Sequence, residues 1–126
     1  MKTLGVHLLV ELQLCESSKL NSVSFIKQSM LKAAEISGAT ILNSIFQESP
    51  SQGVLGIVIV SESHLSIHTW PEYRYAAVDI FTCGQKADPW KASEYIESSL
   101  EAKSVKITDF VRGTVLENLE VQSGHQ

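Results

Sequence analysis

The reactive side chains of this chain crowd into one stretch, "VSESHLSIHTW", where Glu62, Ser63, His64, Ser66 and His68 fall within seven residues. Asp79 and Cys83 follow in the next apolar segment. Serine, histidine and aspartate are the parts of a hydrolase triad, and histidine pairs are common metal ligands. Strand spacing argues against both. His64 and His68 would share a strand face but lie roughly 13 Å apart, too far to hold one ion. Ser63 and His68 would be roughly 16 Å apart, out of reach for a nucleophile and its base within one straight strand. No Gly-x-Ser-x-Gly elbow surrounds Ser63. Taken singly, the histidines read as decoration of a solvated or interface face. Cys83 reads as a small buried hydrophobe, and Trp70 and Trp90 as packing residues.

The elements that must carry these residues follow from periodicity. Val6, Leu8, Val10 and Leu12 alternate along a strand from about Leu4 to Leu14, which "CESSKLNS" breaks. From Asn21 to about Ser37, Val23, Ile26, Met30, Ala33 and Ala34 recur at helical spacing, with Gly38 at the C-cap position. "ATILNSIFQ" reads as a strand and "ESPSQG" as a loop. "VLGIVIVSES" and "HLSIHTW" read as adjoining strands that Pro71 ends, and "YAAVDIFTCG" as a further strand. Asp88 and Pro89 start a helix whose stripe is Ala92, Tyr95, Ile96 and Leu100. "SVKITDFVRG" is the last strand. Two helices cover one face of such a sheet, so the reading is α/β (α+β): a two-layer sandwich, mainly antiparallel, whose bare face pairs in a dimer. The single domain spans 1–113, with a flexible tail over 114–126.

Composition narrows the function classes. With 126 residues, 44% apolar and 19% charged, the chain is an ordinary globular domain. A net charge of −4 and the lack of a basic run exclude phosphate-tracking nucleic-acid binding. The N-terminal segment lacks a signal-peptide cleavage site and no stretch is long enough to span a membrane. Cys15 and Cys83 have no metal-type spacing, so neither a metal site nor a disulfide framework is expected. A reduced, cytoplasmic protein fits.

Together the residues say more than they do singly. Ser61 to Gly84, "SESHLSIHTWPEYRYAAVDIFTCG", strongly resembles the core motif of the prokaryotic S-adenosylmethionine decarboxylase proenzymes. "LGVHLLVEL", "SGATIL" and "DPWKA" match that family in place and order, to about Gly113. The resemblance implies a zymogen whose Glu62–Ser63 bond cleaves autocatalytically. The Ser63 hydroxyl attacks the Glu62 carbonyl, the amide becomes an ester, and β-elimination and hydrolysis leave a pyruvoyl group and ammonia. The products would be a β chain of residues 1–62 and an α chain of residues 63–126. Decarboxylation leaves a carbanion that needs an electron sink, which no ordinary side chain offers. The pyruvoyl cofactor made from Ser63 is implied to supply it by forming a Schiff base with the small-molecule substrate. The implied product is decarboxylated S-adenosylmethionine, an aminopropyl donor for spermidine synthesis. By the same resemblance, Cys83 returns a proton to the substrate carbon, His68 serves the elimination step, and Glu72 holds the ribose hydroxyls. The spacing of Ser63 and His68 requires either a bend in the strand or a second subunit. The resemblance implies the latter, a homodimer of α/β pairs sharing each site.

Two positions depart from the family pattern. Leu55 stands where a serine normally assists processing, and leucine can make no hydrogen bond; Ser66 is an alternative hydroxyl. Ser49 stands where a phenylalanine usually stacks on adenine, a contact worth about 1–3 kcal/mol per base. Two other readings therefore stand beside the first: a pyruvoyl-dependent decarboxylase of arginine or ornithine, and a non-enzymatic, unprocessed homologue.

Overall fold

Alternation along six strands resolves into one antiparallel sheet, seen in a computed structural model that describes residues 2–116. The elements are β1 (Lys2–Gln13), α1 (Ser17–Leu20), α2 (Val23–Ser37), β2 (Ile41–Glu48), β3 (Val54–Val60), β4 (Ser63–Trp70), a 3-10 turn (Pro71–Tyr73), β5 (Tyr75–Cys83), α3 (Pro89–Ser99) and β6 (Ser104–Val115). The strand order is β2-β3-β4-β5-β1-β6. The chain therefore returns β1 to the sheet between β5 and β6, which brings Gly5 opposite Cys83.

One sheet face and two helices make the core. Leu8, Val10 and Leu12 of β1, Val58 of β3, Leu65 and Ile67 of β4 and Val78 and Ile80 of β5 are buried with Ile26, Met30 and Ala33 of α2 and Ala92 and Ile96 of α3. Burying the leucine, isoleucine, valine and methionine side chains among these contributes about 1.5–3 kcal/mol each. The opposite face alternates with this one and carries His7, Leu9, Ile45, Leu55, Ile57, Ile59, His64, Ser66 and His68, none of them fully buried. Among the described residues no helix lies over that face. No described helix is long and apolar enough to cross a membrane.

The helix ends have the expected chemistry. Ser22 accepts from the Phe25 amide at the start of α2, and Gly38 closes it with a φ of 93°. Asp88 accepts from the Trp90 amide, with Pro89 at the first helical position of α3. Some boundaries differ from those the pattern suggests. "CESSKLNS" is not simply a break, because Glu16 caps the one-turn helix α1 by accepting from the Ser18 amide. Strand β6 pairs with β1 as far as Val115, where Lys2 faces it. The tail expected from 114 onward otherwise lies outside the described residues. Trp90 is 44% exposed, so it covers the surface of α3 rather than filling the core.

Strand β4 is straight. Its pairing runs unbroken from Leu55↔His68 to Val60↔Ser63 on one side and from Ser63↔Thr82 to Trp70↔Tyr75 on the other. The one register shift among the described pairings lies in β2, between Ile41 and Asn43, and leaves both ladders of β4 intact. The bend that could have folded His68 back onto Ser63 is absent from the described strand.

Candidate active site

A two-residue turn, Ser61–Glu62, joins β3 to β4, because Val60 pairs directly with Ser63. Turns this tight usually need positive φ at a glycine or asparagine. Here the positive φ falls on Ser63, at 139°, where a β-carbon is poorly accommodated. Such a residue carries about 1–3 kcal/mol of strain and persists only where its surroundings hold it. The same φ breaks the regular pleat at Ser63. Odd–even counting, which would put its hydroxyl on the face opposite His68, therefore does not apply there.

Glu62 supplies the hold. Its carbonyl oxygen accepts from the Cys83 amide at 2.7 Å. Its carboxylate is 9% exposed, accepts from the Thr40 amide at 3.0 Å and lies 3.7 Å from the Lys86 ammonium. The Thr40 amide bond, helped by the charge of Lys86, holds this carboxyl below the usual carboxylate range. Lys86 also donates to the Thr40 hydroxyl, and the Ser61 amide donates to the Thr40 carbonyl at 2.9 Å. The turn is thus fastened by side chain and backbone alike. An amide aimed at a carbonyl oxygen can also carry the charge that builds there when a nucleophile adds to the carbon.

The Ser63 hydroxyl lies 3.1 Å from Nδ1 of His64. The His64 ring meets Phe81 and His7 edge-on, with centroids 6.0 and 6.4 Å away. Arg112 donates to His7 Nδ1 at 3.0 Å and stands 4.6 Å over the Phe81 ring. Arginine can only donate, so His7 Nδ1 accepts and its Nε2 carries the hydrogen toward Asp79, 3.3 Å away. Asp79 accepts on its other oxygen from Ser66 at 3.3 Å. Asp79 therefore serves this network and is not the third member of a triad with Ser63 and His68.

Cys83 is half-buried rather than the packed hydrophobe its type suggests. It lines a cavity of about 530 Å³ with Leu4, Gly5, Gly84 and Gln85. A β-carbon at Gly5 would sit 2.4 Å from the Thr82 carbonyl, so only glycine allows β1 to approach this closely. Cys15 is the opposite case. It is fully buried, and desolvation pushes its thiol up to about 11, leaving it an inert core residue.

His68 occupies the far end of β4. Its ring stacks on Trp70 at 3.6 Å, and Trp70 stacks in turn on Tyr75 at 5.2 Å. The Tyr75 hydroxyl donates to Glu11 at 2.6 Å, and burial together with that bond raises the phenol to about 12. Leu55 faces His68 across the β3–β4 ladder. A cavity of about 510 Å³ on the bare face is lined by Leu55, Ser66, His68, Trp70 and Asp79. Glu72 is exposed in the 3-10 turn that follows. Glu62, Ser63 and Cys83 are thus gathered at one end of β4 and β5, while His68 lies toward the other end of β4 and Glu72 in the turn that follows it. Sequence reasoning missed the Cys83 amide, Thr40, Lys86 and the contact of His64 with Ser63. Thr40 and Cys83 lie within matched segments, but residue type does not reveal the backbone amides they contribute, and Lys86 lies in a loop outside those segments. Adjacency of Ser63 and His64 was the available signal for the last.

The chain and its fold are similar to known proteins of one family. The sequence model of the family described as S-adenosylmethionine decarboxylase matches residues 6–113. The S-adenosylmethionine decarboxylase proenzyme of Thermotoga petrophila is 51% identical over 113 residues, covering 90% of this chain and 87% of that protein. That of Clostridium tetani is 42% identical over 126 residues, the full length of both. The fold is similar to the crystal structure of the adenosylmethionine decarboxylase from Aquifex aeolicus, with a TM-score of 0.87 and 33% identity over 96% of this chain and 100% of that one.

Proposed function

This chain belongs to the S-adenosylmethionine decarboxylase family, and from that premise we propose that it is a proenzyme that cuts itself between Glu62 and Ser63. A pyruvoyl group derived from Ser63 then serves the release of carbon dioxide from S-adenosylmethionine, in the cytoplasm. The observation that carries the reading is the state of the Glu62–Ser63 bond. Its carbonyl is polarised by the Cys83 amide at 2.7 Å, and its serine is held at a φ of 139°.

The Ser63 oxygen adds to the Glu62 carbonyl carbon, and the charge on the carbonyl oxygen is met by the Cys83 amide. Breaking the carbon–nitrogen bond turns the amide into an ester and frees Ser63 from the tight turn. Loss of the Ser63 Cα proton then expels the Glu62 carboxylate, and water replaces the nitrogen as ammonia. The residues present fit the resulting group: Ser63 sits at a turn and pairs with Thr82, the chain neighbour of Cys83, with His64 against its hydroxyl. A pyruvoyl group formed there would supply the carbonyl electron sink that loss of carbon dioxide requires. Cys83, half-buried beside it, returns a proton to the substrate carbon.

His68 and Glu72 complete the site from a second copy. A two-fold axis through the bare face lays the His68 end of one chain over the Ser63 end of the other. Leu9, Ile45 and Ile59 are exposed on that face, and covering them stabilises the pair by about 25 cal/mol per Å². The partner subunit's His68 then removes the Cα proton, and the partner subunit's Glu72 accepts hydrogen bonds from the ribose hydroxyls.

Carbon dioxide release from carboxyl-labelled S-adenosylmethionine, arginine and ornithine tests the substrate. S-adenosylmethionine should be turned over and the two amino acids should not. Release from arginine or ornithine alone would contradict the reading.

A further inference from the structure

Self-cleavage requires two proton transfers of different kinds, and the structure offers two histidines in different places. The first transfer takes the hydroxyl proton of Ser63 as its oxygen bonds to Glu62. We propose that His64 is the base for this step. The assignment rests on the self-cleavage reading above and adds to it a catalytic residue that the resemblance does not imply.

The geometry is direct. His64 Nδ1 lies 3.1 Å from the Ser63 hydroxyl, within the range required of a general base. The ring is confined by Phe81 and His7, so its orientation is set before reaction. His68 of the same chain is excluded by the unbroken pairing of β4, and its ring is committed to a stack on Trp70. A site awaiting its partner would leave Ser63 without a base, whereas His64 travels with it on the same strand.

The step balances within the chain. A bond forms between the Ser63 oxygen and the Glu62 carbonyl carbon as the proton passes from that oxygen to His64 Nδ1. The carbon–nitrogen bond then breaks, and the proton passes from His64 to the departing Ser63 nitrogen. An amide has become an ester, with nothing gained or lost. Elimination needs another proton, from Ser63 Cα, and falls to the partner subunit's His68.

The test follows fresh chains made by cell-free synthesis, with and without hydroxylamine, which cuts esters but spares amides. The natural chain should cleave. His64→Gln should cleave at least about 100-fold more slowly and stay intact in hydroxylamine, because its amide never becomes an ester. His68→Ala should instead accumulate an ester that hydroxylamine cuts at Glu62. Imidazole added to His64→Gly should restore cleavage, which a packing defect would not allow. Cleavage of His64→Gln at the natural rate, or trapping of an ester in it, overturns the assignment and leaves self-cleavage standing. Failure of imidazole to restore His64→Gly also overturns it, in favour of a packing role. A natural chain that never cleaves removes self-cleavage and this base together.

Discussion

The amide nitrogen of Cys83 lies 2.7 Å from the carbonyl oxygen of Glu62, while the half-buried side chain of the same residue lines the cavity behind Gly5. Backbone and thiol can therefore be separated by mutation. Under the proposed function the amide serves cleavage and the thiol serves turnover.

Cys83→Ala keeps the amide and removes the thiol. It should cleave within a few-fold of the natural rate, while decarboxylation falls on the order of 100-fold. Protonation at the wrong carbon should also convert the new terminus to alanine during turnover, visible as a mass change of the α chain. A folded Cys83→Ala chain that fails to cleave, or one that turns over normally, would contradict the division of labour.

The two ends of β4 predict complementation. Ser63→Ala and His68→Ala should each be inactive as pure chains. In a mixed dimer one site carries both lesions and the other carries neither, so about half the sites should be competent. Recovery of activity on co-expression checks the shared site. A verified mixed dimer without activity would mean that His68 acts within its own chain.

Glu62 should make the uncleaved turn acid-sensitive. Its folded carboxyl is held below the ordinary value by the Thr40 amide, so its contribution to stability is fully present above that value, near 4.3. The contribution is lost as pH falls through the lower folded value. In a Ser63→Ala background, which cannot cleave, adding Glu62→Gln should lower the melting temperature at pH 7. The difference should shrink as pH falls below the ordinary carboxylate range. A difference that stays constant over that range would show that the carboxylate charge plays no part in holding the turn.

Most of the architecture was legible because burial imposes period. Leu8, Val10 and Leu12 alternate, Ile26, Met30 and Ala33 recur at helical spacing, and the structure buries both sets. Gly38 marked its helix end by the left-handed backbone it adopts, and Asp88 by the carboxylate that caps α3. Helix α1 was not legible, since a single turn has no periodicity and depends on one capping bond from Glu16. Of the candidate site, Glu62, Ser63 and Cys83 were singled out through motif resemblance. Their mutual placement was not, because it depends on a positive φ at Ser63 and a cross-strand amide, neither of which leaves a mark in residue type. The distance from Ser63 to His68 was legible from strand rise, and the straight pairing of β4 supports it.

The central claim is that this chain converts its own Ser63 into its cofactor, and the intact mass of the purified protein under denaturing conditions tests it most directly. Two fragments should appear, one ending at Glu62 and one beginning at residue 63. The second should resist Edman degradation and be lighter, by one ammonia, than a serine-terminated fragment. Ser63→Ala should give one uncut chain with an unchanged circular dichroism spectrum. A natural chain that remains a single polypeptide after prolonged incubation, or a second fragment with the mass of a free serine terminus, would contradict the account.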